Sequence, residues 1–137
     1  MKTVRGALLC AVIILVAVAG CGGSGQKKRL ELLDEAIDQY TQALRWGRYP
    51  DVQEYHMTRD GERRQIDPAA MQAIRVTGVS IQNRTVNESI SEATVTGQIE
   101  FYQTDVGTVR HAPMNQTWWY EPEAKRWLLD SAPPAFQ

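Results

Sequence analysis

Five apolar residues, Leu30, Leu33, Ile37, Tyr40 and Leu44, recur at steps of three and four, a spacing that lines one face of a helix. The stripe predicts a helix from about Lys28 to Trp46, stopped by Gly47 and Pro50. Asp51 to Met57 predicts a short second helix, and the charged run Thr58 to Gln65, with Asp60-Gly61, a loop. Asp67 then caps one or two further turns that start at Pro68 and run through Ala73. Beyond that point the period drops to two. Ala93, Val95, Gly97, Ile99 and Phe101 alternate with Thr94, Thr96, Gln98, Glu100 and Tyr102, which predicts a strand with one apolar face. Ile74 to Gln82 is an earlier strand whose alternation breaks near Gly78, the mark of a bulge.

The last hairpin selects its own register. A four-residue loop over Pro122 to Lys125 sets Glu121 opposite Arg126, Tyr120 opposite Trp127 and Trp118 opposite Leu129. This choice gathers Trp118, Tyr120, Trp127 and Leu129 on one face and offers a Glu121–Arg126 ion pair, so it is preferred to a five-residue loop that would oppose Trp119 and Trp127. A strand from about Thr108 to Tyr120 completes a four-strand meander, with an interruption expected at Pro113, which has no N–H to give to a ladder. The fold class expected is α+β: N-terminal helices packed on a curved antiparallel sheet of about four strands.

A different apolar pattern opens the chain. Lys2 and Arg5 precede 13 uninterrupted apolar residues, Ala7 to Ala19. That is too short for a membrane span of ~20 residues and suits the core of a secretory signal. Removal of residues 1–20 would leave 117 of the 137 residues, room for one domain, with 13 basic and 16 acidic side chains. Such a mildly acidic chain lacks the concentrated basic face that nucleic acid requires. Cys10 would leave with the signal, so no cysteine pair remains to form a disulfide.

The run Val18-Ala19-Gly20-Cys21 resembles a bacterial lipobox. The resemblance implies a signal peptide over 1–20, acylation (palmitate) of Cys21 and a membrane anchor; an ordinary signal cut nearby, leaving Cys21 a free thiol, is the alternative. Residues 21–27, with Gly22-Gly23-Ser24-Gly25-Gln26, then read as the lipidated cysteine and a flexible linker, and 28–137 as the single domain. Gly22 after the cysteine, where inner-membrane retention uses aspartate, implies the periplasmic face of the outer membrane in a host that has one. Lys27, Lys28 and Arg29 sit at the expected helix start, against the dipole, where anionic headgroups would offset their charge.

Helices followed by a meander that ends in Thr117-Trp118-Trp119-Tyr120-Glu121 and Lys125-Arg126-Trp127-Leu128-Leu129-Asp130 resemble the nuclear transport factor 2-like superfamily over about Leu30 to Phe136. The resemblance implies a cone-shaped fold with a concave pocket. In its isomerase members a tyrosine on the first helix is catalytic, and Tyr40 matches that position, while no aspartate can be matched to their base. Tyr40, Trp118, Tyr120 and Trp127 are therefore the candidate pocket, with plain core as the other reading of each.

Other chemistry is sparse. His56 and His111 are far apart, with no H-E-x-x-H or Cys partner, and His111 suits a polar edge position. No metal and no cofactor is expected, and neither a phosphate loop nor a G-x-S-x-G elbow occurs. Trp119 and Leu128, on the opposite face of the hairpin, form the candidate interface, for an envelope protein or for a homodimer through the sheet. The functional expectation is a non-enzymatic binding or scaffold module held at the membrane by lipid on Cys21. A carrier of a small apolar ligand in the cone, and after it an isomerase or dehydratase, are the alternatives.

Overall fold

The computed structural model describes residues 22–137; the signal-peptide expectation and Cys21 lie outside the described residues. Three helices, α1 (Gly22–Arg45), α2 (Tyr49–Tyr55) and α3 (Pro68–Gln72), precede four strands, β1 (Ile74–Val86), β2 (Glu92–Gln103), β3 (Val109–Glu121) and β4 (Arg126–Leu129). The strands form one antiparallel sheet in the order β1-β2-β3-β4. The fold class is α+β, with helices packed against a four-stranded antiparallel meander.

The predicted stripe is the buried face of α1: Leu33, Ala36, Ile37, Tyr40, Ala43 and Leu44 are buried. The helix begins earlier than its apolar pattern. Gly22 to Gln26, expected as a flexible linker, are helical, because extending an existing helix adds a hydrogen bond per residue without a new nucleus. Lys27, Lys28 and Arg29 consequently lie more than a turn inside α1, past the end of the dipole's reach. Arg29 is also occupied: its guanidinium stacks 4.7 Å from the Tyr120 ring centroid, and its Nη1 donates to Ser89 O at 3.3 Å.

At the other end, Gly47 adopts φ 65°. Its N–H donates to Leu44 O and that of Arg48 to Ala43 O, the paired bonds of a Schellman stop. Asp67 Oδ1 accepts from the Ala69 N–H at 3.0 Å and Pro68 opens α3, as its sequence predicts.

In β2 the alternation holds, with Ala93, Val95, Gly97, Ile99 and Phe101 turned inward. Strand β1 is irregular between Val76 and Gly78 and again between Ile81 and Asn83. Gly97 sits opposite the second irregularity, where a Cβ would overlap Ser80 O. The backbones of β1 and β2 can approach this closely only without a side chain there.

The hairpin has the predicted register, Trp118 opposite Leu129, Tyr120 opposite Trp127 and Glu121 opposite Arg126. The predicted ion pair is replaced by a turn cap. Glu121 accepts from the N–H groups of Glu123, at 3.2 Å, and Ala124, at 2.6 Å, because those amides are the nearer donors. Pro113 does not break β3, contrary to expectation. It pairs with Gln98 on one side, while β4 reaches only Trp118 to Glu121 on the other, so Pro113 occupies edge-like strand where a missing donor is tolerated.

Lys125 closes the β3–β4 turn at φ 53°, a conformation that costs a non-glycine residue about 1–2 kcal/mol. Lys125→Gly should therefore raise the unfolding free energy by roughly 0.5–1 kcal/mol in urea melts, once glycine's added unfolded-state entropy is subtracted. Gly97→Ala should lower it by about 3 kcal/mol. A neutral result at Gly97 would mean that β1 is not held against β2 at Ser80.

Candidate functional site

Tyr40, the residue matched by resemblance to a catalytic tyrosine, points from the C-terminal part of α1 into the core and is 1% exposed. Its neighbour was not legible in the sequence as a partner. His56 caps the C-terminus of α2, where its N–H returns to Gln53 O and its backbone bridges to Leu129 beside β4. This position swings the imidazole inward, 1% exposed, with Nε2 2.9 Å from the Tyr40 hydroxyl and Nδ1 3.2 Å from Ser131 O. A carbonyl oxygen can only accept, so Nδ1 carries the proton and Nε2 accepts the one donated by the Tyr40 hydroxyl. Burial holds His56 at a pKa of about 4, its main cause of departure from the ordinary value, and pushes the Tyr40 phenol well above its usual range. At neutral pH the pair is a neutral tyrosine bonded to a neutral histidine.

Aromatic rings close around it. Tyr40 meets the rings of Tyr55, His56 and Trp118 edge to face, with centroids 5.7, 5.5 and 5.8 Å away. Trp118 and Trp127 are 0% and 1% exposed. Their indole N–H groups are both satisfied, Trp118 by the buried Gln116 Oε1 at 3.0 Å and Trp127 by Arg29 O of α1 at 2.9 Å. Tyr120 is half-buried and packs edge to face on Trp127. The four residues expected to line a pocket thus divide: Tyr40 and Trp118 touch within the core, Trp127 ties the sheet to α1, and Tyr120 lies at the margin under Arg29. Around Tyr40 the space between α1 and β3 is occupied by these side chains.

Trp119 and Leu128 do not form the exposed patch expected of them. Leu128 is 1% exposed, and half-buried Trp119 donates from Nε1 to Met57 O at 2.8 Å. The physical reason is the segment between α2 and α3, which returns along β4. Met57 N–H donates to Leu129 O at 3.1 Å and Arg64 Nε to Asp130 O at 2.9 Å. Gln53 clamps the same segment through Arg64 O and the Ile66 N–H, and Arg59 bonds Glu92 and faces Asp130.

His111 is exposed on β3 with Nε2 3.5 Å from Glu100 Oε2, a surface pair remote from His56. Among the described residues, no three His, Cys, Asp or Glu side chains gather in a way that could hold a metal ion. No described helix is long and apolar enough to cross a membrane. A groove of about 440 Å³ lies between α1, α2 and the hairpin, bordered by Ala36, Gln39, Tyr55, Arg126, Trp127 and Leu128 among others, so Trp127 alone of the four candidate pocket residues borders it.

No family model and no curated protein matches the chain. Among solved structures it is similar to a protein from Xanthomonas campestris pv. campestris, described provisionally as a polyketide cyclase, at 14% identity and a TM-score of 0.42, over 77% of this chain and 90% of that one. That likeness is one of outline. The elements and register define a helix-on-meander α+β fold with an aromatic cluster around one tyrosine–histidine bond in its interior.

Linkage gives the cluster a pH signature. An unfolded histidine titrates near 6.5, whereas folded His56 resists protonation down to about 4, so between these values the unfolded state binds the extra proton. Its contribution is present above pH 6.5 and is lost as pH falls through 4. It amounts to roughly 3 kcal/mol, and His56→Gln should flatten that part of the stability–pH curve. Tyr40→Phe should cost about 1–3 kcal/mol by leaving His56 Nε2 buried without a donor. Wild-type and His56→Gln curves of equal slope from pH 7 to 4 would show that His56 is not sealed in the folded state.

Proposed function

We propose that this protein is an exported lipoprotein, anchored through Cys21 at the periplasmic face of an outer membrane, whose nuclear transport factor 2-like domain binds or scaffolds through its outside and performs no chemistry within. The observation that carries this reading is the filled interior. Tyr40, His56, Trp118 and Trp127 are each at most 1% exposed, and the polar atoms of Tyr40 and His56 are satisfied by each other and by Ser131. A substrate would have to part the Tyr40–Trp118 contact and strand buried polar groups, at a cost of about 1–3 kcal/mol for each. The anchor is supported by the lipobox-like run ending in Cys21 and by the charged and apolar segments before it.

Two measurements test the halves separately. In cells fed an alkyne palmitate, the full chain should take up label and Cys21→Ser should take up none; label that survives the substitution would overturn the anchor. In a Trp46→Phe background, which removes the exposed indole, a panel of fatty acids and sterols should produce no saturable quenching of the remaining tryptophans. Saturable quenching would replace the filled module by a carrier whose cluster opens.

A further inference from the structure

The Schellman stop that ends α1 has a second consequence. It turns the chain so that Trp46, off the helix's apolar stripe, stands 77% exposed, whereas a large aromatic ring is normally mostly covered. Beside it a cleft of about 640 Å³ opens between the end of α1, the start of α2, α3 and the start of β1, lined by Arg45, Trp46, Tyr49, Gln72 and Arg75 among others. The lining contains two arginines and no acidic residue. Among the described residues neither Arg45 nor Arg75 has a carboxylate within ion-pair distance, although Arg48 nearby pairs with Asp51 at 3.4 Å.

The cleft is held in shape. Arg75 Nη1 donates to Gln72 O and Ile74 O, both at 2.9 Å, and the buried Tyr49 donates its hydroxyl to Ile74 O at 2.9 Å. These bonds use one guanidinium nitrogen of Arg75 and leave its other donors for a ligand. Two guanidiniums without a carboxylate partner, Arg45 offset only by the negative end of α1 and Arg75 only by two carbonyls, leave the concave site locally positive in a chain of formal net charge −1, a field that an anion would relieve. Arginine's planar fork matches carboxylate and phosphate oxygens, and the adjoining indole offers a flat apolar surface for a ring.

The geometry points to this cleft as a binding site for a ring-bearing anion, a carboxylate or phosphate attached to a flat or apolar body, with Arg45 and Arg75 taking the acid group and Trp46 the ring. It deepens the reading of a module that binds through its outside, and it rests on that reading only for its biological sense. Helix α1, 24 residues long, spans about 36 Å, so the cleft lies at the far end of α1 from Gly22 and the adjacent Cys21. A ligand would meet it at a distance from the anchored end.

The test is an NMR titration of the full chain, uniformly labelled with nitrogen-15 in a nonionic detergent, following the four tryptophan indole signals, with that of Trp46 assigned by its disappearance in Trp46→Phe. Phenyl phosphate and benzoate distinguish the two acid groups, and benzyl alcohol supplies a neutral ring. The expected result is a saturable shift of the Trp46 signal with at least one of the two anions, weakened by added salt and by about tenfold in Arg45→Gln, with Arg45→Lys retaining part of the affinity. Arg45 is exposed and holds no described element in place, so its substitution leaves the fold intact. No saturable shift with either anion, an equal response to benzyl alcohol, or unchanged affinity in Arg45→Gln would overturn the site. Any of these outcomes leaves the palmitate and quenching experiments untouched, so failure of the site and failure of the module are separable.

Discussion

The hydrogen bond from Tyr40 to His56 is the constraint on which the rest of the structure depends. It joins α1 to the end of α2, and through Nδ1 it reaches Ser131, just beyond the last strand. Three segments distant in sequence thereby meet at one buried point. A histidine there must be neutral and correctly protonated on Nδ1, and burial enforces the first while the Ser131 carbonyl enforces the second. The aromatic rings of Tyr55 and Trp118 complete the enclosure, so the polar pair is packed edge to face on both sides.

The hairpin tryptophans extend this arrangement outward, two of the three indoles fastening the sheet to another segment. Trp127 donates to the backbone of α1, Trp119 to the segment that follows α2, and Trp118 to Gln116 of its own strand. The hairpin is therefore a hub, with Leu128 buried and Trp119 tied to the returning segment through Met57 O. What remains outward on the central strands is mostly polar, Thr94, Gln98 and Asn115 among them. Trp46 differs from the other three because the helix stop, not the sheet, sets its direction.

A filled interior and a basic cleft on the outside describe one design. The core spends its aromatic area on holding α1 to the sheet, and its buried side-chain polar atoms find partners within the described residues. Uncompensated charge is left to the periphery, where Arg45 and Arg75 flank Trp46. Recognition through such a surface needs no movement of the core, which suits a small domain with about two-thirds of its unfolded surface already buried.

Periodicity alone determined much of this protein. The apolar stripe of α1, the alternation of β2, the cap at Asp67 and the register of the last hairpin are local patterns, and steps of 3.6 and 2 residues decide which side chains share a face. Only the tertiary structure decided that His56 meets Tyr40 across 16 positions and Ser131 across 75, that Trp119 bonds Met57 O across 62, and that Arg45 and Arg75 share a cleft. The difference is physical: strand and helix patterns record which face of an element is apolar, but not which distant segment covers it, and a polar side chain's role is fixed by the partner that desolvates it.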